Sequence, residues 1–221
     1  MDSISAILFD FDGTLADTTN LIIESFKYTV RKHLNYDIEA EALYPSFGRP
    51  LIDALEELAP NRGEELIKTY REFNLLNHDQ MINIFDKVPE TLAALKEKGL
   101  KLGIVTSKAR HTLEKGLDLY NLGSYFDAIV ALEDTACHKP HPEPVLHCLK
   151  LLETCPEQAL YVGDSPHDIK SAHEAGVKAV AVRWSYLSWD SIIAENPEFT
   201  IESIEELLTI VANSNNSFQV G

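Results

Sequence analysis

The chain has 221 residues, a length that suits one domain or one domain carrying a sizeable insertion. Hydrophobic residues make up 45%, which excludes global disorder, and a formal net charge of −16 disfavours nucleic acid and anionic membranes as main partners. An acidic protein that takes an anionic ligand needs local compensation, most simply a metal ion and a few placed Lys or Arg side chains.

Residues 4–9 read as a strand rich in branched and aromatic side chains. From Leu21 the pattern turns helical, with Leu21, Ile22, Ser25, Phe26, Thr29 and Val30 on one face. A second helix is expected to start near Glu39, and residues 45–50 break the pattern with two prolines and a glycine. Residues 51–58 and 63–76 again look amphipathic. No strand pattern occurs between Asp17 and Met81, so residues 17–81 read as a helical insertion following the first strand.

Alternation begins after Pro89. Helices are expected over 90–97, 111–119, 143–152, 166–175 and 204–211, and strands over 102–106, 126–132, 159–163, 177–182 and 199–201. Gly99 and Gly176 mark helix ends. From Asn213 the chain turns polar, and residues 214–221 read as a flexible tail. Mostly apolar strands alternating with helices imply a parallel sheet covered on both faces. Residues 1–16 and 82–213 form this core. In such sheets ligands bind beyond the carboxyl ends of the strands.

That rule gathers residues from remote parts of the chain onto one rim. Asp10 and Asp12 follow the first strand, just before Gly13-Thr14. Alone, such a pair is more often a solvated turn around a glycine. At a strand end, one carboxylate suits a nucleophile and the other a general acid and base. Asp164 and Asp168 flank a helix start at Ser165-Pro166, where capping and metal binding are compatible. Oxygen donors without nearby cysteine favour Mg2+ over softer ions. Thr106 and Ser107 end another strand, where a hydroxyl reaches a phosphoryl oxygen. Lys139 lies in a proline-stiffened loop, His138-Lys139-Pro140-His141-Pro142, and suits neutralising a carboxylate and a transferring group.

The cysteines, Cys137, Cys148 and Cys155, lack CxxC spacing and fit reduced thiols. His138, His141, His147 and His167 lack HxxxH or HExxH spacing, which speaks against zinc. Trp184, Tyr186 and Trp189 read as packing a loop against the core edge. With no signal-peptide pattern and no apolar run of membrane-spanning length, the expectation is a soluble cytoplasmic protein.

Together these residues resemble the haloacid dehalogenase superfamily of phosphotransferases. The family's four motifs are matched in order by Asp10-Phe11-Asp12-Gly13-Thr14-Leu15, by Thr106, by Lys139, and by Asp164 with Asp168. The resemblance implies a Rossmann-like core, a cap formed by the insertion, and an aspartyl-phosphate formed on Asp10 with Asp12 as acid and base. It also implies Mg2+ held by Asp10, the backbone carbonyl of Asp12, and Asp164, with Asp168 in the same acidic set. Dehalogenases proper lack the second aspartate, so Asp12 favours phosphoryl chemistry.

Within the superfamily the chain is most similar to the phosphoglycolate phosphatase group and, inside it, to PpaX-type pyrophosphatases. This rests on Phe47-Gly48-Arg49-Pro50-Leu51, the segment from Thr69 to Asn74, and the stretches around Thr106 and Lys139. The implied substrate is a small anionic phosphate, inorganic pyrophosphate first. Phosphoglycolate, another small phosphomonoester, or a mutase reaction of the β-phosphoglucomutase kind are the alternatives. A receiver-type phospho-accepting module fits less well, because its acidic pair is adjacent. Arg49, with a planar fork in a cap loop, is the leading candidate for a second anionic group, ahead of Lys108 and Arg71. A monomer or weak dimer is expected.

Overall fold

The computed structural model describes residues 3–216. Its centre is β1 (Ala6–Phe9), whose four residues are all buried. It lies between β4 (Lys101–Val105) and β6 (Ala159–Gly163), both parallel to it. Outside them run β5 (Ala128–Val130) on one side and β7 (Lys178–Val182) and β8 (Phe199–Ile201) on the other. The sheet order is β5-β4-β1-β6-β7-β8, and every pairing is parallel.

Side chains alternate across this sheet. Ile7 and Phe9 point to one face, under α4 (Val88–Glu97), α5 (Arg110–Leu119) and α9 (Glu206–Asn216). Ala6 and Leu8 point to the other, under α6 (Glu143–Leu152), α7 (Pro166–Glu174) and the short α8 (Trp189–Ile193). Two covered faces explain why the strands read as near-continuous apolar runs. The chain builds outward from β1 on one side and then on the other. The carboxyl end of β1 is therefore the switch point, where neighbouring crossovers diverge and leave a crevice.

The insertion after β1 contains α1 (Thr19–Leu34), α2 (Leu51–Leu58) and α3 (Gly63–Met81). These helices have their own apolar cluster, including Phe26, Leu43, Leu55, Leu66 and Tyr70. Phe26 and Tyr70 meet edge to face at 5.0 Å. Two strands of two residues each, β2 (Ala16–Asp17) and β3 (Asn83–Ile84), pair antiparallel where the chain leaves and re-enters the core.

Three sequence expectations change. The helix expected from Glu39 is a pair of 3-10 turns, Ala40–Ala42 and Tyr44–Ser46. Pro45 has no N–H to give to a continuing helix, and Pro50 biases the residue before it away from helical backbone. The strand expected over 126–132 contracts to β5, with 3-10 turns on either side. The helix expected to stop at 211 continues to Asn216, so 214–216 are helical rather than part of a tail. Asn215 Oδ1 accepts from Ile4 N (2.7 Å) and Ser3 Oγ (3.0 Å), and its Nδ2 donates to Ile4 O (3.2 Å). That side chain satisfies backbone groups ahead of β1. The rest of the expected tail, 217–221, lies outside the described residues. No helix among the described residues is long and apolar enough to cross a membrane.

Candidate active site

Asp10 extends the ladder beyond β1, its N–H donating to Val162 O at 2.9 Å. The chain then turns sharply. Phe11 O accepts from the N–H groups of Leu15 and Ala16, and Gly13 takes φ +77°. A Cβ on Gly13 would collide with the Asp164 carboxylate. The glycine thus serves both the turn and the close approach of an acidic side chain. Gly163, the last residue of β6, likewise leaves room for Asp168, whose side chain occupies the space a Cβ would fill.

Three buried carboxylates converge here. Asp10, Asp164 and Asp168 each offer an oxygen within 4.8 Å of the others. Lys139 Nζ lies among them, 3.1 Å from Asp10 Oδ2 and 2.6 Å from Asp168 Oδ1. Both oxygens of Asp168 are engaged. Oδ1 accepts from Lys139 and from the Tyr161 hydroxyl (3.0 Å), and Oδ2 from Ser165 N (3.1 Å) and Ser165 Oγ (2.6 Å). Asp10 Oδ1 accepts only from Phe11 N, at 2.7 Å, and Asp164 Oδ2 from Ser185 Oγ, at 3.3 Å.

The electrostatics follow from this uneven supply of donors. Burial pushes the Asp10 carboxyl up to about 7, against the pull of Lys139 and with further repulsion from Asp168 and Asp12. Burial and the charges of Asp168 and Asp10 hold Asp164 well above the usual carboxylate range. Burial acts the same way on Asp168, but Lys139 and the hydrogen bonds from Lys139, Ser165 and Tyr161 outweigh it and hold that carboxyl low. Burial alone would lower Lys139, and the charges of Asp10 and Asp168 reverse that and keep it protonated.

A hard divalent cation fits this donor set. The cluster holds three carboxylates, which offer hard oxygen ligands, beside one ammonium, and the two carboxylates with fewer donors than Asp168 are those pushed upward by burial. Asp168 belongs to the cluster, but its lone pairs are already directed at Lys139, Tyr161 and Ser165.

Asp12 stands apart from the cluster. Its carboxylate accepts from Lys108 Nζ at 2.8 and 3.1 Å. Thr106 follows β4 with its N–H on Val130 O, and its Oγ1 accepts from Lys108 N at 3.3 Å. A cleft of about 130 Å³ brings Asp10, Asp12, Thr106, Ser107, Lys108 and Asp164 together with residues of the helical insertion, among them Thr18, Arg49, Tyr70, Arg71 and Asn74. Ser107 Oγ donates to Gly48 O at 2.9 Å, so the loop carrying Arg49 touches the core. Arg49 faces the cleft, yet its fork donates to both oxygens of Glu57, at 3.1 and 2.6 Å. Lys139 and Asp168 lie beneath Asp10, shielded from solvent rather than on the cleft wall.

Of the residues that the sequence placed on one rim, Asp10, Asp164, Asp168 and Lys139 meet in one cluster, and Asp12, Thr106 and Ser107 share the cleft with Asp10 and Asp164. A match to the family model for haloacid dehalogenase-like hydrolases covers residues 7–182. The chain belongs to that family. A protein of Caldanaerobacter subterraneus subsp. tengcongensis, assigned by its name provisionally to the PpaX pyrophosphatases, is 50% identical over 208 residues, covering 94% of each chain. Pyrophosphatase PpaX of Bacillus cereus is 41% identical over 214 residues, covering 97% of this chain and 99% of its own. Among solved structures, a haloacid dehalogenase-like hydrolase of Streptococcus pneumoniae superposes with TM-score 0.84 at 26% identity, over 95% of this chain and 99% of its own.

Sequence reasoning missed several members of the site. Tyr161 sits inside an apolar strand and reads as core, and nothing local marks its hydroxyl as a donor to Asp168. Lys108, in the sequence a weaker candidate than Arg49 for the anionic group, lines the cleft, and its bond to Asp12 had no local signal. Ser185 and Thr18 carried no signal. Of the aromatic trio, Trp184 packs on Phe85 with ring centroids 5.7 Å apart and donates to Thr14 O at 3.3 Å, and Trp189 lies under the Arg183 guanidinium at 4.0 Å. Tyr186 instead lines the cleft.

Proposed function

We propose that the chain is a Mg2+-dependent phosphohydrolase that works through an aspartyl-phosphate and prefers inorganic pyrophosphate. The observation that carries this reading is the contrast between two aspartates on one turn. Asp10 is buried at the edge of the cleft in contact with Lys139, and Asp12 faces the cleft and is held by Lys108. The PpaX names of the relatives support the substrate.

Asp10 attacks phosphorus, forming an oxygen–phosphorus bond as the bond to the leaving oxygen breaks. Asp12 gives that oxygen its proton. Asp12, now a base, takes a proton from water, whose oxygen bonds to phosphorus as the Asp10 bond breaks, and phosphate leaves. Lys139 holds Asp10 in place and offsets charge on the transferring group, with the Thr106 hydroxyl and Ser107 as further donors. Asp168 orients Lys139 and ties it to the Ser165 turn. Asp10, Asp164 and the Asp12 backbone carbonyl would hold Mg2+, which supplies the positive charge that lets these carboxylates sit beside an anionic substrate. Residues 17–81 act as the cap, and Arg49 exchanges Glu57 for the second phosphate when the substrate enters.

The deciding experiment is phosphate release with Mg2+ from pyrophosphate, phosphoglycolate, sugar phosphates and nucleotides, compared by kcat/KM. The highest value is expected for pyrophosphate. A phosphoglycolate value far above it would overturn the substrate, and turnover that isomerises a sugar phosphate without free phosphate would overturn the reaction.

A further inference from the structure

Among the described residues a second set of metal-ligating side chains comes together, away from the carboxylate cluster. Cys137, His141 and Glu143 each offer a ligand atom within 4.8 Å of the others. Cys137 and His141 are exposed and Glu143 is half-buried, on the outer side of the loop whose Lys139 points inward to Asp10.

The three side chains are held where they stand. Glu143 opens α6, and its carboxylate accepts from the N–H groups of Ala136 (3.2 Å) and Cys137 (2.8 Å), which closes the loop. A hydrogen bond to the same carboxylate holds the Cys137 thiol above its usual range. His141 Nδ1 accepts from Glu143 N at 3.1 Å, a bond that an ion at Nδ1 would displace. The His141 backbone is fixed by a bond from its N–H to His138 O (2.9 Å) and by Ser171 Oγ, which donates to His141 O (2.9 Å). Pro140 and Pro142 stiffen the segment further. A carboxylate has about four lone-pair positions, so two backbone donors leave Glu143 able to ligate.

The donor set differs in kind from that of the active site. A thiolate, an imidazole and a carboxylate suit a borderline-soft ion in tetrahedral coordination, with water in the exposed fourth position. Mg2+ prefers six oxygens and is poorly served here. We propose that Cys137, His141 and Glu143 form a second cation site, selective for a Zn2+-class divalent ion over Mg2+. The site lies on the outer face of the loop that carries Lys139. Loading it clamps both ends of the segment from which Lys139 reaches the carboxylate cluster.

The test uses the full chain, stripped of metal and then kept in excess Mg2+ so that the carboxylate cluster is occupied. Titrated Zn2+ should bind at one equivalent. Co2+, used as a probe, should give a thiolate-to-cobalt charge-transfer band. Cys137→Ser should abolish the band, and both Cys137→Ser and His141→Gln should weaken Zn2+ binding by at least about 10-fold. Cys137 and His141 are exposed, so neither change disturbs the core. Cys155→Ser, which alters the other exposed thiol, should leave the band intact. Absence of stoichiometric Zn2+ binding in excess Mg2+ would overturn the site. So would binding indifferent to Cys137→Ser, or binding lost in Asp164→Asn, which would assign the ion to the active-site cluster instead.

Discussion

The two walls of the cleft follow opposite rules. On the core wall charge is crowded and pinned: Asp168 receives four hydrogen bonds, and Lys139 touches two carboxylates. On the helical wall contacts are sparse. Arg49 is held by a Glu57 that is largely exposed, the loop bearing it meets the core through Ser107 and Gly48, and Thr18 Oγ1 is buried without a partner. A reacting group gains from donors fixed before the substrate arrives, because no reorganisation is then needed during the reaction. A selecting wall gains from contacts that only the right ligand completes.

The contrast is broken most directly at the nucleophile. Asp10→Asn should lower phosphate release from pyrophosphate by on the order of 10⁴-fold or more while circular dichroism stays native. Near-native turnover would remove Asp10 from its role. One step smaller is Asp168→Ala, which strands Lys139, Tyr161 and Ser165. Removing one partner from a buried, hydrogen-bonded ion pair costs roughly 3–5 kcal/mol. Urea unfolding should show a loss of that order, and a loss near zero would mean that Asp168 is not the anchor described here.

Metal binding sharpens the same comparison through pH. The Asp10 carboxyl moves from 3.8 to about 7 on folding. Below 3.8 both states carry the proton. Between the two values the folded chain keeps a proton that the unfolded chain has released, so this group's contribution to stability falls as pH rises, and the loss is complete above about 7. Asp164 shifts in the same direction, whereas the lowered Asp168 favours the fold until pH drops through its folded value. Mg2+ held by Asp10 and Asp164, as proposed, would compete with their protons. The rise in Tm on adding Mg2+ should therefore be larger near about pH 8 than near about pH 5.5. A rise that is equal at both, or larger in acid, would separate the metal from these carboxylates.

How far the sequence revealed each wall has a physical reason. Asp10, Asp12, Thr106 and Asp164 were legible because strand ends can be read from local periodicity, and a parallel sheet brings its carboxyl ends to one rim. The pairing of Lys139 with Asp168 was not, because it crosses 29 residues and depends on how α7 packs. Strands β2 and β3 are too short to show a period. The end of α9 is rich in Ser and Asn, weak helix formers, and it is held in place by Asn215 bonding to Ile4 across 211 residues. The contact between the core and the loop bearing Arg49 is of the same tertiary kind, since Ser107 reaches Gly48 across 59 residues.

The helical wall should respond mildly in stability and visibly in KM. Arg49→Ala removes a partly exposed ion pair, so stability should change by no more than about 1 kcal/mol. KM for pyrophosphate should rise roughly 10-fold with kcat less affected, the pattern of lost uniform binding. An equal fall in kcat and kcat/KM would instead place Arg49 in the transition state.

The smallest effect is the most informative about the empty donor. Thr18 precedes α1, makes no capping bond, and is fully buried with Oγ1 unpartnered on the cleft. A buried hydroxyl without a partner costs about 1–3 kcal/mol of desolvation, and an apolar group of the same shape removes that cost. Thr18→Val keeps the branched shape and should leave Tm unchanged or slightly higher. If the hydroxyl is completed by the substrate's second phosphate, KM should rise about fivefold, the loss of roughly 1 kcal/mol from one neutral hydrogen bond. Higher Tm with higher KM would identify a contact kept open at the expense of the free fold. Unchanged KM would show that the orphaned hydroxyl belongs to the start of α1 beside β2 and β3 and takes no part in selecting the leaving group.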